Sequence, residues 1–260
     1  MKISIITVTY NCSDVLNHCL TSVKNQSYKN IEHIVIDGGS SNNTMELLKA
    51  KKNQLSFLLS EPDKGVYDAM NKGIENAKGD IIGFLNADDF YANHKVLSKV
   101  ADLFKSNSKL DACYADLNYV NPKDTTKIIR YWKSNKFVSG LFSKGWCPPH
   151  PTFFVRSSIY KKYGKFNLKY RISSDVDLMI RFLEVYRIRT KYVSEVWVKM
   201  RLGGISNSSL KNIILQNIDV LRALKSYRLN SNFIIFFSHK IIIRIKQFLK
   251  AKNLFIFSNK

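Results

Sequence analysis

The chain has 260 residues, 45% of them hydrophobic and 12% aromatic, which excludes a disordered tail protein, a class poor in aliphatic and aromatic side chains. Four cysteines are too few for a disulfide scaffold. With 41 Lys and Arg against 20 Asp and Glu, the formal net charge is +21, a value open to nucleic acid, an anionic membrane, an acidic substrate or plain composition.

The elements alternate along the first half. Residues 3–9 are a β-branched run that reads as a strand; it is apolar but short, without the long apolar region and small-residue cleavage site of a signal peptide. Residues 14–24 carry Val15, Leu16, Leu20 and Val23 at helical spacing, with Asn11 and Ser13 as caps. A second strand at 31–36 stops at Asp37-Gly38-Gly39-Ser40, and a short helix follows at 45–51. A third strand at 55–59 leads to a helix at 65–77 with Val66, Met70 and Ile74 on one face. The fourth strand, 80–85, runs into Asn86-Ala87-Asp88-Asp89, and a helix at 96–104 and a strand at 111–114 come next. Strands separated by such helices predict right-handed βαβ units and a mostly parallel central sheet with flanking helices, an α/β fold.

Beyond residue 116 the pattern loosens. A strand is expected at 127–132, a Pro-rich rigid loop within 142–152, a helix at 174–186, strand-like runs at 190–193 and 196–200, and a turn at 201–206. Two more helices are expected at 209–227 and 233–250, and no stretch is apolar for long enough to span a bilayer. Cys12, Cys19, Cys113 and Cys147 form no C-x-x-C pair, so free, mostly buried thiols in a reducing cytoplasm fit better than a zinc or redox motif.

In parallel sheets, ligands bind outside the carboxyl ends of the strands. Four polar clusters fall there: Tyr10-Asn11, Asp37, Glu61-Pro62-Asp63-Lys64 and Asn86-Ala87-Asp88-Asp89. The last offers two carboxylates and an amide, hard oxygen ligands suited to Mg2+ or Mn2+ completed by substrate phosphates. Asp37 is placed to accept hydrogen bonds from a ribose or a base. Neither G-x-G-x-x-G nor G-x-x-x-x-G-K-[ST] is present, which argues against a dinucleotide site and a P-loop. At Ser173-Ser174-Asp175-Val176-Asp177, capping accounts for the serines and acids, and a general base at one of the two acids is the functional alternative.

Residues 1–208 resemble the inverting family 2 glycosyltransferases of the GT-A fold, in particular those that build bacterial surface polysaccharides. The resemblance is carried by Ser4 to Asn11, His33 to Ser41, Glu61 to Gly73, Gly83 to Asp89, His150 to Phe154 and Ser174 to Leu178, in that order and spacing. It implies a nucleotide-sugar donor, with Thr9, Tyr10 and Asp37 cradling uridine and Asp63 and Lys64 near the base or diphosphate. It implies that Asn86-Ala87-Asp88 stands where the family has D-x-D, with Asp88 and Asp89 touching Mn2+ or Mg2+. It implies Asp175 as the catalytic base and His150 on the acceptor-side loop near the diphosphate. The motif's first acid is an amide here.

Residues 209–260 form a second unit, a basic amphipathic tail. After Asp219 there is no acid, and the segment 220–260 holds nine Lys and Arg among runs of Ile, Leu and Phe. Basic and large apolar residues on one helix fit an in-plane anchor at an anionic membrane surface, where lipid-linked acceptors lie. The protein is therefore expected in the cytoplasm, peripheral at the inner face of the cell membrane, acting on a glycan or lipid-linked acceptor and not on nucleic acid. Lys outnumbers Arg by 31 to 10, which makes most of the remaining charge a lysine-rich background, since base-reading surfaces favour Arg. The alternative is a basic nucleic-acid-binding or membrane-adaptor protein without catalysis.

Overall fold

The run Ile3–Thr9 forms the first strand, β1, with all seven residues buried. Such burial on both faces is typical of a strand inside a parallel sheet. A computed structural model describes residues 1–203 and 210–258. The unit boundary expected at 208/209, the end of the turn expected at 201–206, the side chains of 252–258 and Lys260 lie outside the described residues.

β1 pairs in parallel with β2 (Ile31–Asp37) and β4 (Ile81–Phe84), and β2 pairs in parallel with β3 (Phe57–Ser60). The crossovers are α1 (Ser13–Lys24), α2 (Thr44–Ala50) and α3 (Val66–Asn76). Alternate residues of β1 serve opposite faces. Ile6 and Val8 meet Tyr67, Met70 and Ile74 of α3, while Ile3 and Ile5 meet Cys19 and Val23 of α1. Gly73 lets α3 lie close to the sheet, since a Cβ there would sit 2.4 Å from Ile6 Cγ2.

The second half adds β5 (Asp89–Tyr91), α4 (Val96–Ser106), β6 (Ala112–Val120), β7 (Ile128–Trp132), β8 (Phe154–Arg156), α5 (Ser157–Tyr163), α6 (Ser174–Ile180), β9 (Thr190–Arg201), α7 (Leu210–Ser226) and α8 (Phe233–Ser258). The nine-stranded sheet runs β3-β2-β1-β4-β8-β6-β9-β5, with β7 paired to β6. Parallel pairing holds from β3 to β4 and again between β6 and β9. β8 joins these two blocks by running antiparallel to both β4 and β6.

Several elements differ from expectation. β5 and β8 span three residues each, too short to carry a period, and α5 spans seven. The two runs expected at 190–193 and 196–200 are one strand, because a register shift against β6 absorbs the break. The helix expected at 174–186 changes to a π-helical turn at Arg181–Val185. Neither Asn11 nor Ser13 caps α1. The cap position is Cys12, without a side-chain cap bond. Asn11 instead bridges two strand-end loops, receiving the Ser41 N–H on Oδ1 and donating its own N–H to Ser40 Oγ.

α7 and α8 pack on the sheet domain, with Val220, Ala223, Leu224 and Phe236 in its larger core cluster. No described helix is long and apolar enough to cross a membrane.

Candidate active site

Register aligns the carboxyl ends of the parallel strands: Thr9 lies beside Asp37, and Asp37 beside Ser60. The loops that follow therefore converge, and a cavity of about 1250 Å³ opens above them. Thr9, Tyr10, Asp63, Lys64, Asn86 and Asp88 line its first end. Tyr10 is 64% exposed at the rim, available to stack on a planar ring. Asp63 approaches closely because residue 38 is glycine, where a Cβ would fall 2.4 Å from Asp63 Oδ2. Asp63 Oδ1 also accepts the Gly65 N–H at 2.7 Å, which shapes the turn into α3.

Two expected ligand residues are not brought to the cavity. Asp37 is fully buried. It accepts hydrogen bonds from Gly39 N, Ser40 N, Ser40 Oγ and Ser60 Oγ. Its carboxylate is spent on holding the loop, and Gly38 and Gly39 line the cavity in its place. Asp89 is likewise fully buried, at the start of β5. Its Oδ2 accepts the Asn86 amide at 3.1 Å, and its Oδ1 has no hydrogen-bond partner among the described residues. Burial, with the neighbouring charge of Asp88, pushes its carboxyl well up.

Asp88 faces the cavity. Burial raises its carboxyl, opposed by its own backbone N–H and by Arg201. Arg201, which sequence reasoning left in a turn, donates to the Asp88 carbonyl and lies 5.2 Å from the Phe90 ring centre. Among the described residues no three His, Cys, Asp or Glu side chains cluster to hold a metal by themselves. One carboxylate and one amide fit the alternative, a Mg2+- or Mn2+-type ion whose shell a substrate diphosphate completes.

Asp175 opens α6 and lies half-buried on the cavity wall. Its Oδ1 accepts the Tyr67 hydroxyl at 2.8 Å. Tyr67 is buried on α3, and burial with the adjacent Asp175 charge keeps its hydroxyl protonated. Tyr67 lies outside the Val66, Met70 and Ile74 stripe, and no spacing in the sequence marks it. Asp177 is not an alternative base. It is 1% exposed, accepts the Tyr227 hydroxyl at 3.0 Å and lies 3.6 Å from Arg181, tying α6 to α7. His150 lines the cavity and stacks on Phe84 at 5.2 Å. Burial lowers its pKa, with Asp175 pulling the other way.

The far end of the cavity was not anticipated. Arg130 and Trp132 of β7, Trp146, and Lys240, Arg244 and Gln247 of α8 line it. The polar residues of α8 recur at i, i+4 and i+7, the spacing of one helical face, and that face turns inward.

A family model described as glycosyl transferase family 2 matches residues 4–175. A PGL/p-HBAD biosynthesis glycosyltransferase of Mycobacterium tuberculosis is 31% identical over 219 residues, covering 83% of both chains. Among solved structures, S. aureus TarS superposes with a TM-score of 0.66 at 19% identity, covering 96% of this chain; this chain spans 43% of TarS. TarS 1–349 in complex with UDP-GlcNAc gives a TM-score of 0.64 at 17% identity, covering 96% of this chain and 72% of that one. The mannosyltransferase PcManGT of Pyrobaculum calidifontis, solved with GDP-Man and Mn2+, gives 0.63 at 16% identity, covering 95% of this chain and 69% of that one. At these identities the structural likeness speaks for the GT-A fold.

Proposed function

The chain belongs to glycosyl transferase family 2, and from that premise we propose that it moves a sugar from a nucleotide sugar, with uridine diphosphate as leaving group, to a hydroxyl of a glycan or lipid-linked acceptor in surface polysaccharide assembly. The observation that carries this reading is one cavity holding Asp88 at one end and the Tyr67-braced Asp175 further in. Family membership sets aside the non-catalytic alternative.

Tyr10, Thr9, the Gly38-Gly39 backbone and Asp63 form the nucleoside end. Asp88, with Asn86, would hold Mn2+ or Mg2+ beside the diphosphate, and Asp89 supports the pair from beneath through the Asn86 amide. When bound, the ion supplies positive charge against the diphosphate. Lys64 adds a cation from the rim. Asp175 takes the proton of the acceptor hydroxyl while that oxygen bonds the anomeric carbon and the bond to diphosphate breaks. Tyr67 holds the carboxylate in line for that transfer, and His150 remains a neutral wall residue on the acceptor side. A single displacement inverts the anomeric carbon, so an α-linked donor gives a β-linked product.

The same reading places the protein in the cytoplasm against the inner face of the membrane. What supports it is the outer face of α8, where Phe233, Ile234, Ile235, Ile241, Ile245 and Leu249 are exposed, Ile234 to 75%. Arg222 and Lys225 of α7 and Lys246 of α8 are exposed as well, and no acid follows Asp219. An apolar face with basic neighbours suits an anionic bilayer surface.

A panel of nucleotide sugars, scored by thermal stabilisation with and without Mn2+, tests the donor assignment. Stabilisation by a UDP-sugar that depends on Mn2+ is expected. Indifference to every nucleotide sugar, with salt-sensitive binding to single-stranded DNA, would contradict it.

A further inference from the structure

The part of the cavity lined by β7 and α8 concentrates cations. Arg130 is 3% exposed, with its guanidinium 4.4 Å from the Tyr119 ring centre and 5.2 Å from that of Trp132. Its Nε donates to Gln247 Oε1 at 2.7 Å. Lys240 donates to Asn217 Oδ1, and its Nζ lies 5.3 Å from the centre of the Phe236 ring. Arg244 is half-buried one helical turn away on the same cavity wall.

Charged groups withdrawn from water normally have a counter-charge. Arg181, largely withdrawn from water, follows that rule by lying 3.6 Å from buried Asp177. Among the described residues, no carboxylate forms an ion pair with Arg130, Lys240 or Arg244. The three also repel one another. Burial first, and then neighbouring Arg244, push Arg130 down to about 10. Burial likewise lowers Lys240, with Arg244 and Arg130 adding to the effect. Asp175 sends its charge to Lys240 and to Cys147, which places the cluster next to the acceptor side of the proposed base. It cannot serve there as a counter-ion for three cations.

We propose that Arg130, Lys240 and Arg244 form a subsite for a phosphate ester carried by the acceptor, so that the substrate supplies the missing negative charge. This rests on the glycosyltransferase reading of the same cavity and deepens it by naming the acceptor class. A guanidinium binds phosphate through paired N–H donors, and an ammonium adds a point charge. Placed beyond Asp175, the anion would hold the acceptor hydroxyl over that carboxylate. Gln247 and Asn217 position two of the three cations, and the rings of Tyr119 and Trp132 give Arg130 a firm seat.

The experiment titrates the full-length protein, saturated with UDP and Mn2+, with geranyl phosphate and with glycerol 3-phosphate, using geraniol and glycerol as neutral controls. Tighter binding of at least one phosphate ester than of its neutral control is expected, and the arm that binds separates a lipid-borne from a soluble phosphate. Arg244→Gln is expected to weaken that ester by at least about tenfold, as removal of a charge-assisted contact does. UDP affinity should stay unchanged, and Arg244→Lys should restore part of the loss. Unchanged UDP affinity also shows that the variant is folded. Equal binding of esters and neutral controls would overturn the proposal. So would a parallel loss of UDP affinity in Arg244→Gln, which would assign the cations to the donor diphosphate. A wild-type protein that binds no UDP would instead sink the glycosyltransferase reading itself.

Discussion

The two ends of the cavity are built from opposite materials. At the donor end, Asp63 and Asp88 sit on loops after consecutive parallel strands, each within a few residues of a strand terminus. In the other part of the lining, Arg130 comes from β7 at the sheet margin and Lys240 and Arg244 from α8, more than 100 residues later. Acids gather where a cation and diphosphate would bind, and bases gather where the acceptor would lie. The parallel sheet delivers the first set automatically, because register aligns its strand ends. Long-range packing of a terminal helix delivers the second.

The largest effect expected from breaking this arrangement lies between the two ends. Asp175→Asn should lower transfer by at least about 1000-fold, the scale of a lost general base, while UDP affinity stays near wild type. Retained turnover would remove Asp175 from that role.

A second test asks which half fails first in acid. His33 is buried against Thr7 in the parallel half, and burial pushes its pKa down to about 4. The unfolded chain binds that proton near pH 6.5, so between the two values the unfolded state carries more protons. The stability contributed by neutral His33 is complete above about pH 6.5. It is lost as pH falls toward 4, by about 3 kcal/mol in all. His33→Gln should flatten that dependence in denaturant unfolding measured from pH 7 to pH 4. An unchanged slope would refute the assignment.

Tyr67→Phe leaves the cavity's shape and removes the hydrogen bond to Asp175. A fall in kcat of about tenfold with KM little changed is expected, since hydrogen bonds to charged groups contribute about 1.5–3 kcal/mol. A KM change at constant kcat would mean that Tyr67 binds substrate instead.

On the outside, Ile241→Asp with Ile245→Asp should reduce binding to anionic vesicles by about tenfold or more, given the transfer free energy of exposed Ile side chains. Both residues are exposed, so thermal stability should hold. Vesicle binding that persists would locate the membrane contact elsewhere.

How much was legible follows the same division. The donor half was readable because strand, polar cluster and helix recur within short windows. Its two misplacements, Asp37 and Asp89, are acids whose lone pairs neighbouring donors or burial claim. A Gly-Gly-Ser-Ser run directly after an aspartate is itself a sign that the carboxylate turns back on its own loop. The acceptor half was hidden because its contacts are long-range. Arg130 falls inside the strand expected at 127–132, and Tyr67 lies in the helix expected at 65–77 without a signal of its own. Lys240 and Arg244 read as the polar face of an amphipathic tail. The fold turns that face inward: these bases line the cavity, while Ile234, Ile241, Ile245 and Leu249 are exposed. The i, i+4, i+7 spacing of Lys240, Arg244 and Gln247 along α8 was the available signal.

The division of the cavity is tested most directly by titrating UDP in Mn2+ against wild type, Asp88→Ala and Arg244→Gln side by side. Asp88→Ala should weaken UDP by at least about tenfold, as loss of a carboxylate ligand to the ion requires. Arg244→Gln should leave it within about twofold, as independent sites do. The reverse pattern, with UDP indifferent to Asp88 and dependent on Arg244, would contradict the account.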